Sequence, residues 1–202
     1  MSTVKNSKTL KLVQMSILTA IIIIMAFTPL GYLKIGVVEI SFLAIPVVIG
    51  AILCGPLCGG ILGGIFGITS FIQCFGISAF GTALCEINPI YTFIICLVPR
   101  ILIGIFAGLL FKALYKIDKT KLLSFGVASL TGALTNTVFF VLLLLLLFSK
   151  SDYISGMIGG MNILAFAVAF VGINGLIEAG VCLVIGSAVT KALSRFITAD
   201  NK

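Results

Sequence analysis

Long apolar runs separated by short polar segments dominate the sequence. Stretches without a single charged side chain cover residues 12–33, 40–85, 122–149 and 153–177. About 20 consecutive apolar residues are enough for a helix to cross a bilayer, and most of these stretches reach or exceed that length. The runs are also too continuous for the alternation of apolar and polar residues in a membrane strand. The pattern therefore predicts helices that span a membrane.

Turn residues and charges divide the apolar runs into six helices. We place these helices at about residues 10–28, 42–53, 56–69, 86–115, 122–148 and 162–196. A short segment that resembles a hairpin follows the first helix, and Gly55-Pro56 separates the second helix from the third. This hairpin-like segment is the first expected outer loop, and residues 70–88 and 150–160 are the second and third. The predicted fold is an all-α integral membrane bundle of six transmembrane helices, in one domain over residues 1–202.

The charges follow the sidedness of a membrane. Only 9% of the residues are charged, against about 25% in soluble domains. With a cytoplasmic N-terminus, ten of the 13 cations fall on the inner side, as the positive-inside rule requires. These ten are Lys5, Lys8, Lys11, Lys112, Lys116, Lys119, Lys121, Lys191, Arg195 and Lys202. We expect a multi-pass protein of a bacterial cell membrane, with both termini in the cytoplasm and with lipid, not nucleic acid, around it.

Several kinds of chemistry are missing from the sequence. It contains no histidine, which removes histidine-based triads and zinc sites. It also lacks the GxxxxGK[ST] pattern of a nucleotide-binding P-loop. The six cysteines include Cys54 and Cys58, but no further ligands accompany this pair, so packing is the simpler interpretation. We expect no metal, no cofactor and no enzymatic activity.

The most informative residue is Arg100, which lies within an apolar helix. A cation at bilayer depth costs several kcal/mol, about 3 or more, unless it has a partner or a watery cavity. Pro99 has no N–H, so it should free the carbonyl of Ile95 from the helix. Arg100 shares one helix face with other polar or small residues at intervals of four. These residues are Asn88, Thr92, Cys96, Gly104 and Gly108.

Two interpretations of Arg100 stay open at this point. In the first, the arginine faces a pocket that takes an anionic ligand. In the second, it pairs with an acid on a neighbouring helix. Glu178 lies in the last helix, one turn after Asn174 and roughly 6–8 Å from Arg100 in depth. An arginine side chain can bridge part of that gap, so Glu178 is a feasible partner. Asn136, near the middle of the fifth helix, also needs a hydrogen-bond partner if it is buried.

A ladder of glycines marks the third helix. Gly55, Gly59, Gly63 and Gly67 recur every four residues. Glycine weakens a helix, and its repetition on one face predicts that another helix packs closely against this backbone. The apolar segment 70–88 that follows is expected to be a loop that caps a pocket.

Several segments together resemble the substrate-binding S components of energy-coupling factor (ECF) vitamin transporters, most of all the pantothenate members. The resemblance is carried by residues 28–36 (TPLGYLKIG), 45–71 (IPVVIGAILCGPLCGGILGGIFGITSF), 78–104 (SAFGTALCEINPIYTFIICLVPRILIG) and 132–140 (GALTNTVFF). It implies a protein that captures a vitamin from outside and passes it to a separate transmembrane coupling (T) subunit with two ATPase subunits. Ser16 and Ala20 on the first helix stand where the family carries a small-residue pair for docking on the coupling subunit.

The resemblance also implies a substrate site. Arg100 would bind the carboxylate of pantothenate, with amide and hydroxyl contacts from Asn136, Asn88, Thr92 and Gln73. Apolar walls would come from Phe71, Tyr91 and Phe139, and further polar groups from Asn174 and Glu178. Riboflavin and folate remain alternative substrates, and a stand-alone secondary carrier remains an alternative function.

Overall fold

Helices make up most of the part of the chain that the structure describes. The computed structural model describes residues 7–35, 38–118, 122–160, 162, 165 and 175–192. Its first elements are α1 (Ser7–Ala26), β1 (Tyr32–Ile35), β2 (Val38–Ser41), α2 (Ala44–Cys54) and α3 (Pro56–Gln73). They are followed by α4 (Ala79–Ile87), α5 (Pro89–Tyr115), α6 (Leu122–Phe148) and α7 (Asp152–Ile158). The last are α8 (Gly175–Gly186), whose final turn Cys182–Gly186 is π-helical, and α9 (Ser187–Ala192).

Four of the described helices are long and apolar enough to cross a membrane. They are Lys8–Ala26, Pro56–Gln73, Pro89–Tyr115 and Leu123–Phe148, and two shorter apolar helices, Ala44–Cys54 and Gly175–Gly186, accompany them. The predicted all-α membrane bundle is thus confirmed. Of the last predicted helix, 162–196, residues 175–192 are described as helical.

Helix α2 lies at the centre of the bundle. Every one of its residues is buried, as expected for a helix that is apolar on all sides. Its 11 residues span only roughly 16 Å at about 1.5 Å per residue. Helices α1, α3, α5 and α6 all pack against it. This short helix therefore serves as a core around which the longer helices are arranged.

The segment before α2 forms the hairpin that its alternating pattern predicted. Strands β1 and β2 are antiparallel, with Tyr32 opposite Ser41. The Tyr32 hydroxyl lies 3.2 Å from the hydroxyl of Ser70 near the end of α3. This hydrogen bond joins the hairpin to the bundle at the end of α3.

The predicted outer loop over residues 70–88 is wrong. Helix α3 continues to Gln73, and α4 occupies most of the remaining segment. The Ser78 side chain caps α4 by accepting a hydrogen bond of 3.3 Å from the Gly81 amide, a helix start that the glycines of this segment obscured. In the same way, the predicted loop 150–160 contains α7, which Ser151 caps.

The glycine ladder of α3 packs directly against the backbone of α5, which confirms the close approach predicted from the spacing. A Cβ atom built on Gly63 would lie 2.0 Å from the carbonyl oxygen of Arg100. A Cβ on Gly67 would lie 2.8 Å from the Cys96 carbonyl, and one on Gly104 would lie 2.0 Å from the Gly59 backbone. The backbone of α5 around Arg100 is therefore held in place by α3.

We predict that Gly63→Ala destabilises the protein and that Gly64→Ala does not. The new methyl group at residue 63 meets backbone atoms that have no room to move, and overpacking of this kind costs about 1–3 kcal/mol. At residue 64 the nearest atom is an Ile101 side-chain carbon 3.8 Å away, so only the better helix propensity of alanine remains. Thermal melting of both variants in detergent measures the difference. Equal melting temperatures would contradict the close α3–α5 contact.

Candidate functional site

A cavity opens between the hairpin and the helices that surround it. Its volume is about 130 Å³, whereas a cavity that holds one water needs roughly 10–15 Å³. Its wall is formed by both strands, the end of α3, α4, the first half of α5, the middle of α6, and α8. The cavity is therefore large enough for a small organic molecule.

Arg100 enters this cavity from α5. Its Nη1 atom donates a hydrogen bond of 2.8 Å to the carbonyl oxygen of Ile95. That carbonyl has no helical partner because Pro99 carries no N–H. The carbonyl predicted to be free is thus the one that the guanidinium binds.

The rest of the guanidinium lies between aromatic rings. Its central carbon is 5.4 Å from the ring centre of Phe66 and 5.2 Å from that of Phe140, within the range of cation–π attraction. Its Nε atom is buried and has no hydrogen-bond partner. Within the described residues, Arg100 forms no ion pair with a carboxylate, so this cation retains unused donors in the cavity wall.

Glu178 lies in the same cavity but binds other groups. Asn136 on α6 donates from Nδ2 to both carboxylate oxygens of Glu178, at 3.0 and 3.3 Å. The hydroxyl of Thr137 adds a long contact of 3.5 Å to the carboxylate. Both Glu178 and Asn136 are buried, and Oδ1 of Asn136 has no partner. Of the two interpretations of Arg100, the ion pair with Glu178 is not formed.

Two further predicted residues line the cavity. Gln73, at the end of α3, donates from Nε2 to the carbonyl of Ala26. The hydroxyl of Thr92 donates to the carbonyl of Asn88 at 2.9 Å. Both side chains are almost completely buried. The structure therefore brings together five of the predicted residues: Arg100, Asn136, Thr92, Gln73 and Glu178.

Asn88 and Tyr91 take positions at the start of α5, outside the cavity wall. The Asn88 side-chain oxygen caps this helix by accepting hydrogen bonds from the amides of Ile90 and Tyr91, at 3.1 and 3.2 Å. Tyr91 is 40% exposed and packs edge-on against Phe148. Asn88 thus has a structural role that its place on the polar face did not reveal.

Phe71 and Phe139 also lie away from the cavity wall. Phe71 packs edge-on against Phe93, and Phe139 stacks on Phe106 of α5. Asn174 lies outside the residues that the structure describes. The sequence reasoning missed Phe140, although it lies one helical turn after Asn136 and so shares its face. Tyr32 and Ser41 were also missed, because only the hairpin brings them to the cavity.

The small pair on α1 faces outward. Ser16 and Ala20 are exposed, and the Ser16 hydroxyl donates to the carbonyl of Leu12 at 2.9 Å within its own helix. The hydroxyl is therefore satisfied, and this face of α1 is apolar and open to lipid or to another helix.

Comparison with known proteins gives three findings. A family model described as ECF transporter, substrate-specific component, matches residues 10–189. The chain is 29% identical over 195 residues to the pantothenate transporter PanT of Leuconostoc mesenteroides, covering 93% of this chain and 94% of that protein. The solved structure of ThiT from Listeria monocytogenes has a TM-score of 0.67 and 19% identity, covering 95% of this chain and 99% of that one. At that identity the likeness to ThiT concerns the fold.

We predict that Arg100→Met does not lower the melting temperature of the ligand-free protein, whereas Asn136→Leu does. Methionine keeps an apolar stem between the two rings. Removal of the unpaired Nε donor, whose burial costs about 1–3 kcal/mol, offsets the loss of the Nη1 hydrogen bond to the Ile95 carbonyl. Leucine at residue 136 leaves the Glu178 carboxylate without its main donor, which costs about 1–3 kcal/mol. Thermal melting in detergent without added vitamin is the measurement. A large loss in Arg100→Met would instead indicate a structural role for the cation.

Proposed function

Since this chain belongs to the substrate-specific components of the ECF transporters, we propose that it binds pantothenate in the cavity around Arg100. The observation that carries this proposal is the half-buried guanidinium of Arg100, whose buried Nε donor has no hydrogen-bond partner and which forms no ion pair within the described residues. The full-length similarity to a pantothenate transporter points to the same ligand. Pantothenate is small and combines one carboxylate, one amide and two hydroxyl groups.

The carboxylate of the ligand is assigned to Arg100. A guanidinium and a carboxylate form two parallel hydrogen bonds of about 2.7–2.9 Å. In a cavity that is partly closed to water this contact is stronger than at a surface. The bound carboxylate would supply the negative charge that no described acid of the chain provides.

The hydroxyl end of the ligand is assigned to Asn136 and Glu178. Oδ1 of Asn136 is a buried acceptor without a donor, and the Glu178 carboxylate can accept more hydrogen bonds than Asn136 and Thr137 provide. The hydroxyl groups of the ligand can donate hydrogen bonds to both acceptors, Oδ1 of Asn136 and the Glu178 carboxylate. A carboxylate placed there would be repelled by Glu178, so the orientation with the ligand carboxylate at Arg100 is favoured.

Delivery across the membrane requires partners in this proposal. The sequence has no P-loop, so ATP hydrolysis falls to two separate ATPase subunits, joined through a transmembrane coupling subunit. The exposed pair Ser16 and Ala20 on α1 is the proposed docking face for that subunit, since small residues allow close approach of a second helix. The cation distribution favours cytoplasmic termini in a multi-pass protein of the cell membrane.

We predict that Arg100→Ala removes the preference of the protein for pantothenate over pantothenol, the analogue whose carboxylate is replaced by an alcohol. In the unaltered protein, loss of a charge-assisted bidentate contact should weaken pantothenol binding by about 1.5–3 kcal/mol, or roughly 10- to 150-fold. In Arg100→Ala both ligands should bind equally weakly. Isothermal titration of the purified protein gives all four affinities.

Two controls accompany this titration. Lys112→Ala removes an exposed cation from the same helix and should keep the full preference. Arg100→Lys keeps the charge but not the two-pronged geometry, and should therefore keep only part of the preference for pantothenate over pantothenol. If Arg100→Ala still prefers pantothenate as strongly as the unaltered protein does, the carboxylate is bound elsewhere. If riboflavin or folate binds more tightly than pantothenate, the proposed substrate is wrong.

A further inference from the structure

Two thiols face each other in the wall of the cavity. Sγ of Cys74 lies 3.8 Å from Sγ of Cys96, and both residues are buried and line the cavity. Cys74 lies in the turn between α3 and α4, and Cys96 lies on α5, one turn before Arg100. Both are free thiols, and among the six cysteines no other sulfur–sulfur contact is found in the described part of the chain.

The position of Cys74 connects it to α4 as well as to α5. Its sulfur donates weakly to the Ser70 carbonyl at 3.4 Å. A Cβ atom on Gly81 would lie 2.6 Å from this sulfur, so the first turn of α4 packs directly against the thiol. Anything that changes the bonding of Cys74 therefore acts on the helix that covers one side of the cavity.

We propose that Cys74 and Cys96 are an oxidisable dithiol whose disulfide ties the turn between α3 and α4 to α5 and thereby restricts access to the cavity. The oxidant is a hydroperoxide small enough to enter the cavity, with hydrogen peroxide as the simplest case. One thiolate attacks the peroxide oxygen, giving a sulfenic acid and hydroxide, which takes up the thiol proton to form water. The second thiolate then displaces hydroxide from the sulfenic sulfur, forms the S–S bond and yields a second water.

The disulfide would join the turn between α3 and α4 to α5. The two cysteines are 22 residues apart in sequence, and the closed loop contains the whole of α4. A disulfide holds its sulfurs about 2.05 Å apart, so the present 3.8 Å contact becomes a covalent link. The α3–α4 turn can then no longer separate from α5. The formation of the bond does not depend on the ligand, whereas its effect on vitamin exchange rests on the proposed function.

The test uses the full chain in detergent, treated with hydrogen peroxide and then with dithiothreitol. Peptide mass spectrometry should find Cys74 linked to Cys96, with a loss of two hydrogens that dithiothreitol reverses. Hydrogen–deuterium exchange over α4 should slow at least tenfold in the oxidised protein, and pantothenate association and dissociation should slow at least tenfold. Cys74→Ala and Cys96→Ala should show none of these changes, while Cys85→Ala, on α4 but outside the cavity wall, should show all of them.

Several results would overturn the proposal. It fails if peroxide gives no Cys74–Cys96 link, if it links Cys85 instead, or if the linked protein exchanges its α4 amides as fast as the reduced one. If the link forms and protects α4 in a protein that binds no pantothenate even when reduced, the oxidisable dithiol is supported and the proposed substrate is wrong. If the link forms but pantothenate exchange is unchanged, the disulfide does not restrict access to the cavity, and the proposed substrate is unaffected.

Discussion

The arrangement of the site depends on one cation, Arg100, which lies in an apolar helix and forms no ion pair with the acids that the structure describes. Arg100 is tolerated because Pro99 releases the Ile95 carbonyl, and this carbonyl accepts a hydrogen bond of 2.8 Å from the guanidinium. Two aromatic faces supply further, weaker attraction. These contacts satisfy only part of the guanidinium, since Nε is buried and unpaired. An incompletely satisfied charge of this kind favours an anionic guest over an empty cavity.

The glycine contact between α3 and α5 gives this charge a fixed position. Because the carbonyl of Arg100 lies against Gly63, the backbone that carries the guanidinium has no freedom to shift. The same contact continues to Cys96 at Gly67. In the same cavity, Asn136 holds the Glu178 carboxylate. The cavity is thus lined by one cation and one hydrogen-bonded acid, carried by different helices.

Hydropathy predicted much of the fold, because apolar runs long enough to cross a bilayer have few alternatives to a helix. The release of the Ile95 carbonyl was also predictable, since it follows from the chemistry of Pro99 alone. Helix α4 was not predicted, because Gly76 before it and Gly81 within it suggested a loop. Phe140, and not Phe139, lies in the cavity wall, because the rotation of a helix about its axis depends on its neighbours. Whether Glu178 would pair with Arg100 or with Asn136 likewise depends on packing that one sequence does not specify.

The contact between the ligand carboxylate and Arg100 can be measured directly by solid-state nuclear magnetic resonance. The chain has two arginines, Arg100 and Arg195, so an Arg195→Lys protein grown with ¹⁵N-guanidino arginine carries its label at residue 100 alone. Pantothenate labelled with ¹³C at its carboxyl carbon is then bound to it. The account predicts strong ¹³C–¹⁵N dipolar dephasing, as expected when hydrogen bonds of about 2.7–2.9 Å join the two groups. Bound pantothenate whose carboxyl carbon shows no dephasing would contradict it.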